Sequence, residues 1–224
     1  MTLPLTIQAY KRLGYTFNHR KNVPHVFGIR ATPKADPHPL AAPPVDFGKW
    51  DDRIGVAWFD GTYWRQHMFR GTTDPGRIAR TGQRGTAVMK PGQYHDAYQV
   101  GKHRGSPALV NWGTAAPRYW RVVADEQGCT SVSGEGSEYI GLNIHQGSQS
   151  DTPPEEVGPW SRGCQVIQDY EDWQYFLKEV KRLTKYASTH HGLDYITYTL
   201  LLEREVLDQP AGQAFDNYYN RDNT

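Results

Sequence analysis

The chain has 224 residues, 38% of them hydrophobic and 22% charged, which suits one large domain or one domain with an appendage and excludes disorder as the rule. A net charge of +1 gives no electrostatic footprint for nucleic acid, and no apolar run reaches membrane-spanning length. The 7 Trp and 14 Tyr suit a β-rich core and equally a carbohydrate or peptide cleft, so they decide nothing alone.

The first eight residues carry neither a charged n-region nor an apolar h-region, so no secretory signal is expected. Ile7, Tyr10 and Leu13 share one helical face, Gly14 can end that helix, and a strand follows before residue 30. Residues 31–46 are proline-rich and read as a linker or surface wrap. They mark the expected boundary between an N-terminal extension over 1–50 and a main domain over 51–205, with a polar tail over 206–224.

Short β-like runs punctuated by glycine follow at 54–59, 63–70, 86–89, 98–100, 108–112, 119–123 and 139–144. Asp60-Gly61 is a hairpin signal, and Thr73-Asp74-Pro75-Gly76 and Lys90-Pro91-Gly92 mark further turns. The clearest helix starts after Asp169, a suitable N-cap, with Trp173, Phe176, Leu177, Val180 and Leu183 at helical spacing. Lys181, Arg182 and Lys185 fall toward its C-terminal end, where the helix dipole favours cations, so they are not read as a binding surface. A buried strand is expected at 195–202. The pattern predicts a mainly β fold, sandwich-like or an open barrel, with one packed helix: α+β overall.

The informative stretch is 139–167, YIGLNIHQGSQSDTPPEEVGPWSRGCQVI. A strand ends at His145, a polar loop follows, and Ser161-Arg162-Gly163-Cys164 turns into the apolar Gln165-Val166-Ile167. A free thiol has a pKa of about 8.5, so a thiolate nucleophile needs a nearby imidazole or cation, which His145 and Arg162 supply. Gly163 lets the backbone approach a ligand and can turn its N–H, with that of Cys164, toward an oxyanion. Trp160 and loop 146–159 would wall the cleft. Against this stands the plainer reading in which Cys164 is a small buried hydrophobe and His145 a structural histidine.

The stretch resembles the catalytic motif of the L,D-transpeptidases, cysteine enzymes that act on peptidoglycan stem peptides. That motif is a strand ending in Ile-His-Gly, a variable loop, an Ile/Val-Gly pair, then Ser-His-Gly-Cys. Ile144-His145-Gln146-Gly147, Val157-Gly158 and Ser161-Arg162-Gly163-Cys164 fall in the same order. The stretch is also similar to uncharacterised phage-associated relatives of that motif. The resemblance implies Cys164 as nucleophile, His145 as base, Gly163 and Cys164 as oxyanion donors, and Ser161 as support of the turn. Arg162, Trp160, Gln165 and Gly147 are expected against a stem peptide, with His103, from the turn-like GKHRG, either lining the cleft or a solvated loop histidine. Two departures are plain: Arg162 replaces the family's histidine, and Val166 its Arg or Asn.

It further implies a cytoplasmically made protein that reaches the periplasm or cell wall by another export or lysis route. No cofactor is expected. No metal is expected either, since His145, His103 and His190-His191 lack H-x-x-x-H spacing and Cys129 and Cys164 are not a cysteine pair. The rival classes are a non-catalytic β-rich binding module of a phage or cell-wall system and a histidine-based metal hydrolase.

Overall fold

The computed structural model describes residues 3–31, 47–150 and 152–207. The proline-rich stretch from 32 to 46 and the tail from 208 onward lie outside them. The elements are α1 (Leu5–Leu13), β1 (His25–Arg30), β2 (Asp52–Phe59), β3 (Trp64–Thr72), β4 (Ala79–Arg80), β5 (Thr86–Met89), β6 (Gly92–His103) and β7 (Ser106–Val110). There follow β8 (Tyr119–Ala124), β9 (Thr130–Gly136), β10 (Ile144–Gln146), β11 (Gln165–Ile167), α2 (Tyr170–His191), β12 (Ile196–Leu202) and α3 (Glu203–Leu207). The fold is mainly β and α+β, as the pattern predicts.

Eight strands close into a barrel in the order β1-β12-β6-β7-β10-β11-β3-β2. β4, β5 and β9 flank β8 in a second, smaller sheet. β1, which precedes the boundary expected at residue 50, is a stave between β12 and β2. Its six residues are all buried because both faces are covered. Val26 joins the main core, while Phe27 and Ile29 pack under Ile7 and Tyr10 of α1. Gly14 ends α1 in the left-handed conformation that its sequence position suggests.

The α2 stripe of Trp173, Phe176, Leu177, Val180 and Leu183 is buried in the same core as Val26, Tyr98 and Tyr198. Asp169 caps this helix, its side chain accepting from the N–H groups of Glu171 and Asp172. His190 and His191 end it on backbone carbonyls, of Tyr186 and Lys21. No helix among the described residues is long and apolar enough to cross a membrane.

A buried polar knot joins the two sheets. Arg30 is fully buried and pairs with Asp74 at 2.7 Å. It also donates to the carbonyls of Thr73 and of Met89 on β5. Asp52 accepts from Thr73 N–H and hydroxyl and from Ala31 N–H. A buried guanidinium is tolerated only when paired and bonded this fully, so the knot fixes how the small sheet sits on the barrel.

The run expected at 139–144 is a strand only from Ile144. Gly141 adopts φ +75°, which bends the chain before the ladder begins. Conversely β9, TSVSGEG, escapes sequence reading because it is mostly exposed and polar and shows no apolar alternation.

Inside the barrel, Tyr198 hydroxyl donates to Gln165 Oε1 at 2.9 Å, and both residues are fully buried. Tyr198→Phe leaves that oxygen unpaired and is expected to cost about 1–3 kcal/mol in urea unfolding. Adding Gln165→Leu removes the orphan and should recover part of the loss. A double variant that merely sums the two single losses would contradict the assignment.

Candidate active site

β10 and β11 pair in parallel with His145 opposite Val166. Opposite residues of a ladder point to the same side, and so do residues two apart on one strand. His145, Val166 and Cys164 therefore share one face, while Ile144, Gln165 and Ile167 turn inward. The burial agrees: Ile144 and Ile167 belong to the main core, whereas Val166 packs with Trp50, Val157 and Cys164 in a separate cluster. The same parity corrects one expectation. Gln165 cannot touch a substrate from its site inside the barrel, where it bonds Tyr198 and reaches toward the carbonyls of Thr73 and Gly163.

The loop between the two strands is fastened at Val157 and at Ser161. Val157 is fully buried beside Trp50 and Val166, and its N–H donates to Gly48. Ser161 is also buried, and its hydroxyl donates to Cys164 carbonyl at 2.7 Å while accepting from Gly163 N–H at 3.1 Å. This small cycle sets the turn that presents the thiol. It also engages Gly163 N–H, so that group is not the free oxyanion donor expected from the motif, and Cys164 N–H is left as the turn's candidate. Gly163 has φ +119° and packs against Ala87 carbonyl, so no side chain fits there.

His145 Nδ1 lies 2.7 Å from Gln146 carbonyl, and a carbonyl only accepts. The proton is therefore on Nδ1 and the Nε2 lone pair is free. Ring nitrogens of His145 and His103 and Cys164 Sγ lie within 4.8 Å of one another. The two imidazoles stack at 4.9 Å between centroids. The thiol rests against Gly141 carbonyl at 3.4 Å, under the bend made by that glycine.

Asn143 organises the remainder and was not singled out by sequence. Its Oδ1 accepts from Asn111 N–H at 2.9 Å, which fixes the amide so that Nδ2 donates to His103 Nδ1 at 2.8 Å. Its carbonyl accepts from Gln165 N–H, and its own N–H favours the Cys164 thiolate. The only hint in sequence is its place two residues before His145, on the same face.

Electrostatically the pair is neutral at rest. Burial pushes His145 down to about 4, with its hydrogen bond to Gln146 opposing and the fields of His103 and Arg104 adding to the fall. Burial pushes the Cys164 thiol up, against the smaller pulls of Asn143 N–H and Arg104. Thiol and imidazole are favoured over thiolate and imidazolium, so the preformed thiolate expected from the sequence gives way to a neutral dyad.

The dyad lines a cleft of about 570 Å³. His103, Gly147, Trp160 and Arg162 line it, joined by Arg84 and Arg121 from the small sheet and its loop. Three donors within 4.8 Å also suit a metal by distance. His103 does not suit one by protonation, because accepting from Asn143 at Nδ1 puts its proton on Nε2. Comparison with family models, with curated proteins and with solved structures returns no match.

The neutral dyad has a direct consequence. In an NMR titration His145 is expected to lose its proton near pH 4, and iodoacetamide labelling of Cys164 to rise steadily past the ordinary thiol range. A labelling plateau already reached in mild acid would mean a resting ion pair and contradict the assignment.

Proposed function

We propose that the chain is a cysteine acyltransferase or peptidase of L,D-transpeptidase type, acting on the stem peptides of peptidoglycan. The observation that carries this is the shared face of His145 and Cys164 at the cleft, with a lone pair on Nε2 aimed away from the backbone acceptor that holds Nδ1. The order of the sequence motif around them supplies the substrate class.

The chemistry follows from the resting protonation states. Cys164 Sγ attacks a peptide carbonyl as its proton passes to His145 Nε2, forming a tetrahedral oxyanion. Cys164 N–H is the donor the turn leaves to meet that oxygen. His145 then returns the proton to the departing amine as the C–N bond breaks, leaving a thioester. An incoming amine or water gives up a proton to His145, attacks the thioester and releases the thiol. An amine gives transpeptidation and water gives hydrolysis. Thiol and imidazole lie within 4.8 Å of each other and close to hydrogen-bond distance as substrate binds, which is ordinary for an empty site.

His103 holds the outer face of the base by stacking, and Asn143 holds His103. The same three donors favour one second reading, a hydrolase with zinc held by His103, His145 and Cys164. That reading needs Asn143 to release His103.

Purified peptidoglycan fragments followed by mass spectrometry separate these readings. The wild type is expected to trim or exchange stem-peptide residues, Cys164→Ala to abolish this, and His145→Gln to lower kcat/KM about 10²–10⁴-fold. Turnover lost to a chelator and restored by zinc would favour the metal reading instead. Fragments retained unchanged, and equally by Cys164→Ala, would overturn the acyl-transfer reading in favour of a binding module.

A further inference from the structure

The whole chain carries a net charge of +1, yet its cleft gathers four guanidinium groups around the nucleophile. Arg84 comes from the β4–β5 loop, Arg104 from the β6–β7 turn, Arg121 from β8 and Arg162 from the nucleophile turn. No carboxylate side chain lines the cleft among the described residues. Four separate segments thus bring one sign of charge to one place.

Three of these arginines are not absorbed by the fold. Arg84, Arg104 and Arg162 are exposed and form no ion pair among the described residues. Arg121 is held more firmly: it lies 4.8 Å over the Tyr119 ring, donates to Gly85 carbonyl, and feels Glu138 nearby. Arg104 occupies an awkward backbone position. The two-residue turn between β6 and β7 needs positive φ at both places, where glycine or asparagine is usual; Arg104 stands there at φ +49° and Gly105 at φ +86°. The side chain in that turn reaches the cleft next to His103.

Holding a thiolate does not account for them. Arg104 acts on the Cys164 thiol only as a minor pull, and burial still dominates. Guanidinium forks facing a partly buried space are suited to carboxylates, which they bind through paired N–H donors.

We propose that this cleft is an anion-selective acyl-donor site, in which Arg84, Arg104, Arg121 and Arg162 select peptides bearing more than one free carboxylate over their carboxamide counterparts. The inference rests on Cys164 as the reacting group and names the charge state of the substrate, which that assignment leaves open. Applied to stem peptides, it means that amidated side chains are poor substrates and free acids good ones.

The test uses the full chain and two alkylating probes of like size, anionic iodoacetate and neutral iodoacetamide, with labelling mapped to Cys164 and to exposed Cys129. The iodoacetate-to-iodoacetamide rate ratio at Cys164 is expected to exceed that at Cys129 by about tenfold or more at low salt. Salt should shrink it, Arg104→Gln and Arg162→Gln should each lower it severalfold, and Arg104→Lys should keep most of it. Because Asp125 lies beside Cys129, the glutamine variants carry the decision. A ratio unchanged by both glutamine variants and by salt overturns the proposal. A ratio that behaves as expected while peptidoglycan fragments go unprocessed leaves the anion site standing and removes the acyl-transfer reading instead.

Discussion

The parallel pairing of β10 with β11 is the constraint on which the site depends. Parallel neighbours cannot be joined by a tight turn, so the chain must leave β10, cross over and return beside it. That return sets Ile144 against Gln165 and His145 against Val166. A slip of one residue would turn Cys164 into the barrel and Gln165 out to the cleft. The register is held from inside by Ile144, Ile167 and the Tyr198–Gln165 bond, and from outside by Val157 and Trp50 against Val166. Core packing and site geometry are one arrangement seen from two faces.

Around this ladder, short polar contacts convert proximity into orientation. Ser161 closes the turn on which Cys164 sits, and Gly141 bends the preceding chain so that its carbonyl meets the thiol. Asn143 links Asn111, His103 and Gln165 in a single residue. The shared burial then decides the chemistry. Charges are costly in this place, so burial favours thiol and imidazole over thiolate and imidazolium, and in the proposed reaction the proton would move only as a carbonyl is attacked. The arginines line the same cleft, where solvent moderates the field of the exposed ones.

Much of this was legible in sequence because it is local. Strand, loop and Gly-containing turn lie within residues 139–167, and His145, Gly147, Trp160, Arg162 and Cys164 do line one cleft, with His103 beside them. The α2 helix and its Asp169 cap follow from spacing and from a side chain bonding its own backbone. What was misread depends on parity or on distant partners. Gln165 looked exposed to the site because it adjoins Cys164, yet adjacency on a strand means opposite faces. Residues 139–143 are rich in strand formers, but one glycine at positive φ outweighs them. Arg84 and Arg121 reach the cleft because the small sheet docks on the barrel, through contacts such as Arg30 on Met89 of β5 that no local pattern announces. Val166, a departure from the transpeptidase motif, is used for packing under the loop.

The proposed chemistry requires a covalent acyl intermediate on Cys164 with His145 as its proton carrier. The most direct measurement is intact-mass analysis of the protein quenched in acid during reaction with a stem peptide that bears free carboxylates. An added acyl mass is expected, mapped to Cys164, released by hydroxylamine as a thioester must be, absent in Cys164→Ala and slow to form in His145→Gln. Turnover of that peptide with no mass ever added to Cys164, under quenching fast enough to trap it, would rule out covalent catalysis by this thiol.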